Sequence, residues 1–186
     1  MDKKIKILGI LGSLRKNSYN KSALEIAASV VPENAEIEIY DRIGEIPLFN
    51  QDLEKTPPDV VKELKEKVRS ADAILFATPE YNYSIPGGLK NAIDWVSRPY
   101  GDNAWEGKIV GIMSASISML GGGRAQYHLR QTFVFLDMHP LNRPEVMIPS
   151  AAEKFDEQGN LTDTHTKEKI AELLQALVQK SRTRLR

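Results

Sequence analysis

Four polar side chains, Ser13, Arg15, Ser18 and Asn20, follow directly on the apolar run Ile5-Lys6-Ile7-Leu8-Gly9-Ile10-Leu11 and precede a helical pattern carrying Leu24, Ala27, Ala28 and Val31 on one face. Hydroxyl, guanidinium and carboxamide donors beside the positive end of a helix favour a phosphate dianion. The segment Gly12-Ser13-Leu14-Arg15-Lys16-Asn17-Ser18-Tyr19-Asn20 lacks the Gly-x-x-x-x-Gly-Lys-Ser/Thr arrangement of nucleoside triphosphate sites. It also lacks the Gly-x-Gly-x-x-Gly turn that brings a pyrophosphate against backbone. Its chemistry is that of a monophosphate cradle. Taken singly, Ser13 and Ser18 suit helix capping, Asn20 a turn and Arg15 a wet surface; their joint placement after a buried strand favours the anion site.

A second loop has the same setting. The run Ala73-Ile74-Leu75-Phe76-Ala77-Thr78 reads as a strand covered on both faces, and Pro79-Glu80-Tyr81-Asn82-Tyr83-Ser84-Ile85-Pro86-Gly87-Gly88 follows it. Prolines, glycines and tyrosines so close together resist regular structure and leave backbone amides available to a ligand. Leu89, Ala92, Ile93 and Val96 then mark a helix with one buried face. Tyr81 and Tyr83 also suit simple packing with wet hydroxyls, Glu80 needs only its backbone amide here, and Lys90 and Asp94 read as an i, i+4 ion pair.

Both loops depend on the elements that carry them. Strand-like runs at about 5–11, 35–40, 73–78, 108–114 and 143–148 alternate with helical patterns at about 20–31, 58–70, 87–97, 123–136 and 165–182. Strict alternation predicts right-handed βαβ units and an α/β fold with a parallel sheet and helices on both faces. With the first polar loop after the first strand, the expected order is flavodoxin-like, 2-1-3-4-5, and both loops leave the same sheet edge. Thr56-Pro57-Pro58-Asp59 offers an N-cap followed by proline for the second helix. The stretch Ile46 to Leu53 reads as a surface crossing that borders a neighbouring subunit's site.

Composition limits the chemistry. The 186 residues suit one domain, 1–186, and contain 25 basic and 25 acidic side chains, so no overall basic field gathers nucleic acid. The basic end from Lys180 to Arg186 reads as a solvated helix terminus. There is no cysteine, which excludes thiol nucleophiles, dithiol redox pairs and iron–sulfur ligation. His128, His139 and His165 are scattered without ligand spacing, which argues against a metal site. No apolar run is long enough for a membrane span, and the expected setting is a soluble, cytoplasmic one.

The two loops, together with Gly121-Gly122-Gly123-Arg124-Ala125-Gln126-Tyr127-His128-Leu129-Arg130-Gln131, resemble the NADPH-dependent FMN reductase family, in particular its bacterial quinone and chromate reductases. The three segments stand in the family's order and spacing, and the resemblance spans nearly the whole chain. It implies FMN as cofactor, with Ser13, Arg15, Ser18, Tyr19 and Asn20 at its phosphate. Pro79, Glu80, Tyr81, Asn82, Tyr83 and Ser116 would lie at its ring. It implies NADPH or NADH as co-substrate, no catalytic side chain beyond the cofactor, and ping-pong turnover with quinones, azo dyes, nitroaromatics or chromate as acceptors. Arg124, Tyr127 and Glu145 match positions where subunits of tetrameric relatives meet, so a homodimer or homotetramer is expected, with Trp95, Phe133, Phe135 and Leu136 supplying apolar contact. One departure stands out: Ile117-Ser118 follows Ser116 where relatives carry proline or methionine and then glycine, which bears on acceptor preference. The rival reading is a flavodoxin-type electron carrier without nicotinamide chemistry. Such carriers are usually acidic, whereas this chain is neutral.

Overall fold

The computed structural model describes residues 3–184. Leu185 and Arg186, the last residues of the basic end, lie outside it. Its parallel sheet has the order β2-β1-β3-β4-β5, built from Ile5–Leu11 (β1), Ala35–Tyr40 (β2), Ala73–Thr78 (β3), Ile109–Ala115 (β4) and His139–Pro140 (β5). A sixth strand, Val146–Ile148 (β6), pairs with the end of β4. The helices are Tyr19–Ser29 (α1), Asp59–Ser70 (α2), Gly87–Val96 (α3), Gly123–Phe135 (α4), Ala151–Lys154 (α5) and Thr164–Arg184 (α6).

Every residue of β3 and β4 is buried. Period-two alternation divides their side chains between two cores. Ile74, Phe76, Val110 and Ile112 meet α2, α3 and α4 on one face. Ala73, Leu75, Ile109 and Met113 meet α1 and α6 on the other. A sheet covered on both sides explains why these strands read as unbroken apolar runs.

Several expectations change in detail. The fifth strand, expected at 143–148, is two short pieces: His139–Pro140 pairs with the start of β4 and Val146–Ile148 with its end. Pro140 and Pro144 have no N–H to donate, so the chain leaves the edge between them and returns. Thr56 does not cap α2. Pro58 occupies that position without a side-chain bond, and the Thr56 amide donates to Leu53 O at 3.0 Å. The 46–53 crossing buries Ile46 and exposes Leu48, and it is pinned to α3 by Asn91. Asn91 Oδ1 accepts from Phe49 N at 2.7 Å, and its Nδ2 donates to Pro47 O at 2.9 Å.

Trp95, Phe133 and Leu136, expected at a subunit interface, belong to the chain's own core. Trp95 Nε1 donates to Pro47 O at 2.8 Å, while Phe133 stacks on Phe76 with ring centroids 5.4 Å apart. Only Phe135 of that set is exposed, together with its neighbour Val134. Among the described residues no helix is long and apolar enough to cross a membrane.

The end of β1 meets the end of β3 at Gly12, whose amide donates to Ala77 O at 2.8 Å. A Cβ there would stand 2.9 Å from Thr78 Oγ1 and 3.1 Å from Leu89 Cδ2. Gly12→Ala is expected to cost about 1–3 kcal/mol through this overpacking, read as a lower urea midpoint at unchanged slope.

Candidate functional site

The loop after β1 is shaped by its two serines. Ser13 is buried and its Oγ accepts from Arg15 N at 3.3 Å. Ser18 is the N-cap of α1, its Oγ accepting from Asn20 N at 3.2 Å. Among the described residues the amides of Ser13, Leu14, Lys16 and Asn17 donate to nothing. The first-turn amides of α1 have no intrahelical acceptor by the geometry of a helix start. Arg15 is exposed, and among the described residues its guanidinium bonds only Asn17 O, at 2.9 Å, with Tyr19 lying 5.9 Å beneath it. The ring of Tyr19 also packs on Phe155, with centroids 5.4 Å apart. Free amides, a buried hydroxyl and an exposed cation at a helix N-terminus are the donor set an anion needs.

Asn20 sits with this group but its carboxamide faces elsewhere. Nδ2 donates to Ala115 O at 3.0 Å and Oδ1 accepts from Ala115 N at 2.9 Å. The side chain therefore fastens α1 to the end of β4, and its part in the cradle is positional.

The loop after β3 folds back as a two-residue hairpin. Tyr81 N donates to Ser84 O at 2.9 Å and Ser84 N to Tyr81 O at 3.0 Å, with Asn82 and Tyr83 at φ of 49° and 66°. Such a turn requires left-handed backbone at both central positions. Asparagine tolerates this, whereas for tyrosine it costs on the order of 1–2 kcal/mol. The pairing engages the Tyr81 amide. The amides of Glu80, Asn82 and Tyr83 donate to nothing among the described residues.

The strained turn is held by α4. The Glu80 carboxylate accepts from Arg124 N at 3.0 Å and Ala125 N at 3.3 Å, and pairs with Arg124 Nη1 at 3.0 Å. It thus satisfies orphan donors at the helix N-terminus and favours the dipole there. The Arg124 guanidinium lies 3.8 Å from the centroid of the Tyr83 ring. His128 Nδ1 lies 2.9 Å from Ser84 Oγ. Glu80 and Arg124 are therefore partners within one chain. Tyr127, also expected at a subunit contact, donates through its hydroxyl to Glu145 Oε1 at 3.2 Å.

Ser116, expected at the ring, begins the loop after β4. Its amide donates to Ile148 O at 3.0 Å and its Oγ accepts from Ser118 N at 3.1 Å, so the hydroxyl shapes its own loop. Beneath this loop Ser114 Oγ donates to Gly121 O at 2.6 Å, and the buried Gln126 Nε2 donates to Ser114 Oγ and to Val146 O, each at 2.8 Å.

The first two loops line one cavity of about 290 Å³, bounded by Gly12, Leu14, Arg15, Tyr81, Pro86, Gly87 and Gly88. A Cβ on Gly87 would meet nothing within 4 Å, and one on Gly88 only Ile43 Cδ1 at 3.9 Å. No side chain stands in the mouth at the start of α3, which leaves open space for a planar ring. A larger cavity of about 680 Å³ opens between α3 and α4, beside Phe49, Arg98, Tyr100 and Phe135, and shares no residue with it. Lys90 and Asp94 line that cavity and form the expected ion pair at 2.7 Å.

Comparison with known proteins identifies the relatives of the whole chain. A model of the NADPH-dependent FMN reductase family matches residues 5–153. A NAD(P)H-dependent FMN reductase of Pseudomonas aeruginosa is 54% identical over 178 residues, 95% of each chain. A NAD(P)H:quinone oxidoreductase of Solanum tuberosum is 48% identical over 180 residues, covering 93% of this chain and 91% of its own. Among solved structures, the flavoenzyme NAD(P)H:(acceptor) oxidoreductase FerB of Paracoccus denitrificans superposes with a TM-score of 0.88 at 33% identity, over 96% of this chain and 98% of that one.

Positioning and binding roles separate by stability. Asn20→Ala leaves the buried N–H and C=O of Ala115 unpaired and is expected to cost about 2–3 kcal/mol in urea denaturation. Arg15→Ala, at an exposed position, is expected to change stability by less than about 0.5 kcal/mol.

Proposed function

The chain belongs to the NADPH-dependent FMN reductase family, and on that footing we propose that it is an FMN-dependent NAD(P)H oxidoreductase that reduces quinones. The observation carrying this reading is the single mouth that Arg15 of the anion cradle and Tyr81 of the hairpin line together. One ligand with a phosphate at one end and a flat ring at the other answers both loops. Its phosphate would be held by Ser13, Arg15, Ser18 and the free amides around them, with Tyr19 flooring the guanidinium. Its ring would lie over Gly87 and Gly88, with the amides of Glu80, Asn82 and Tyr83 at its edge, Pro79 behind them and Ser116 on the β4 side.

When bound, FMN supplies the hydride chemistry, taking two electrons from a nicotinamide and passing them on. The protein's own groups orient, shield and polarise. The hairpin's unpaired amides would favour added negative charge on a ring held beside them, and they would need no rearrangement because α4 already fixes the hairpin. This chemistry requires no acid–base dyad from the protein. The net reaction is NAD(P)H plus a proton plus quinone giving NAD(P)⁺ plus quinol. With one open mouth, donor and acceptor take turns over it, which is the basis for ping-pong kinetics. Small azo, nitro and chromate acceptors are admitted on the same ground.

We also propose self-association into a homodimer or homotetramer. Val134 and Phe135, each 81% exposed, give an apolar patch at the C-terminal end of α4, where Phe135 lines the larger cavity, while Arg124 stands at the helix's other end. Phe135→Asp is expected to lower the mass seen by light scattering to that of one chain.

The deciding experiment uses the protein purified without added flavin. A band near 450 nm, roughly where bound flavins absorb, is expected to bleach anaerobically with NADPH or NADH and to return on adding benzoquinone. A bound flavin that neither nucleotide bleaches would indicate an electron carrier instead. Arg15→Ala is expected to weaken FMN binding at least about tenfold through loss of a charge-assisted contact, as followed by flavin fluorescence. Tyr83→Ala is expected to change the range of acceptors while retaining flavin.

A further inference from the structure

The loop joining β4 to α4 has no part in the roles assigned above beyond Ser116, yet it is unusual in composition and exposure. Between Ser114 and Gly123 it contains no charged residue, and the first charge after it, Arg124, is already paired with Glu80. Ile117 and Met119 are 73% and 89% exposed, and Leu120 is also open to solvent. These side chains are not on a loose tether. The loop closes on itself through Gly121 N to Ser118 O at 3.2 Å, and Ser150 N donates to Ser118 O at 3.3 Å. Ser114 and Gln126 grip its far end from below, and a Cβ on Gly122 would stand 2.7 Å from Ser114 Cβ. The result is a fixed apolar lip.

Its location is set by three contacts. Ser116 follows Ala115, which Asn20 ties to the phosphate cradle. Gly122 reaches Thr78 O, at the root of the hairpin, within 3.8 Å of a Cβ built on it. Arg124, directly beyond, carries the Tyr83 ring. Both ends of the lip are thus rooted beside the cradle and the hairpin, at the sheet edge from which the loops of the mouth also leave.

Three side chains are far too small an area for a protein partner, which needs about 800 Å² on each side. The exposed Val134 and Phe135 stand at the other end of α4, roughly 16 Å along its axis from Gly123 at about 1.5 Å per residue, so they do not enlarge this patch. An alkyl chain attached to a ring seated in the mouth is of the right size and polarity.

We infer that the Ile117–Leu120 lip is a docking shelf for the alkyl substituent of a quinone acceptor, making chain-bearing lipophilic quinones the preferred oxidants. The inference rests on the oxidoreductase reading for the ring's place in the mouth. The lip selects among acceptors by burying methylenes and takes no part in holding FMN. A charged oxyanion such as chromate gains nothing from it.

The test compares the holoprotein with a double variant, Ile117→Asn with Met119→Asn, whose side chains are exposed and whose replacement leaves the loop's own hydrogen bonds in place. Turnover is measured with benzoquinone and decyl-benzoquinone, and calorimetry measures binding of the dimethyl ether of decyl-hydroquinone, which cannot be reduced. In the parent protein, KM for the decyl acceptor is expected at least about tenfold below that for benzoquinone, as burial of two or three methylenes would give. In the variant that ratio is expected to shrink to within about twofold, and binding of the ether to weaken in parallel, with benzoquinone kcat/KM unchanged. A variant that keeps the parent's KM ratio and ether affinity overturns the shelf. Failure of NAD(P)H to bleach the flavin would instead overturn the reductase reading, while the ether arm would still decide whether the lip binds alkyl chains.

Discussion

Parallel pairing of the three central strands is the constraint from which the rest follows. Leu11 of β1 pairs with Ala77 of β3, and Ala77 with Met113 of β4, so the strands end side by side and three loops must leave the same edge. None of these loops would bind much alone. The sheet brings a cradle of free amides, a turn with outward-facing donors and an apolar lip into one small region. Both faces of these strands are buried, so a shift of register would move every side chain into the wrong core. The loops inherit that precision.

The hairpin after β3 shows how such a region is kept in an unfavourable shape. Tyr83 in left-handed backbone is a local cost that the turn alone does not offset. Three contacts from α4 oppose it: the Glu80 carboxylate at the helix start, the Arg124 guanidinium over the Tyr83 ring, and His128 beside Ser84. Each is modest, and all three come from a helix anchored in the core through Leu129 and Phe133, so they hold the turn from one rigid support. Pre-formed donors are then available without an ordering cost when ligand arrives.

Much of this was legible in the residues and some was not, for physical reasons. Buried parallel strands announce themselves as apolar runs, and the polar loop from Gly12 to Asn20 stands out because its residues are local. The strand order followed from alternation. The fifth strand was less accessible, since two prolines interrupt an edge whose apolar pattern looks continuous. An apolar helical face does not say whether it meets its own sheet or another copy, which is why Trp95, Phe133 and Leu136 read as interface and proved to be core. The contacts that shape the site join distant residues: Asn20 with Ala115 across 95 positions, and Glu80 with Arg124 and Ser84 with His128 across 44 each. No local spacing encodes them. A polar side chain at a helix start flanking a buried strand end was the one clue to Asn20, and its reading as a ligand donor was as natural as its actual use.

The bond pair between Asn20 and Ala115 also bears on how this scaffold can vary. A single carboxamide reads both the N–H and the C=O of one residue on another strand, so the segment from Ser18 to Asn20 and the last residue of β4 must keep their lengths together. An inserted or deleted residue on either side of that anchor would misalign cradle and sheet at once. Beyond it, the stretch from Ile117 to Leu120 lies outside the anchor and carries its side chains in solvent. Changes of side chain, though not of length, are therefore channelled into the exposed positions of this loop, where the molecule can diversify what it meets without disturbing what it holds.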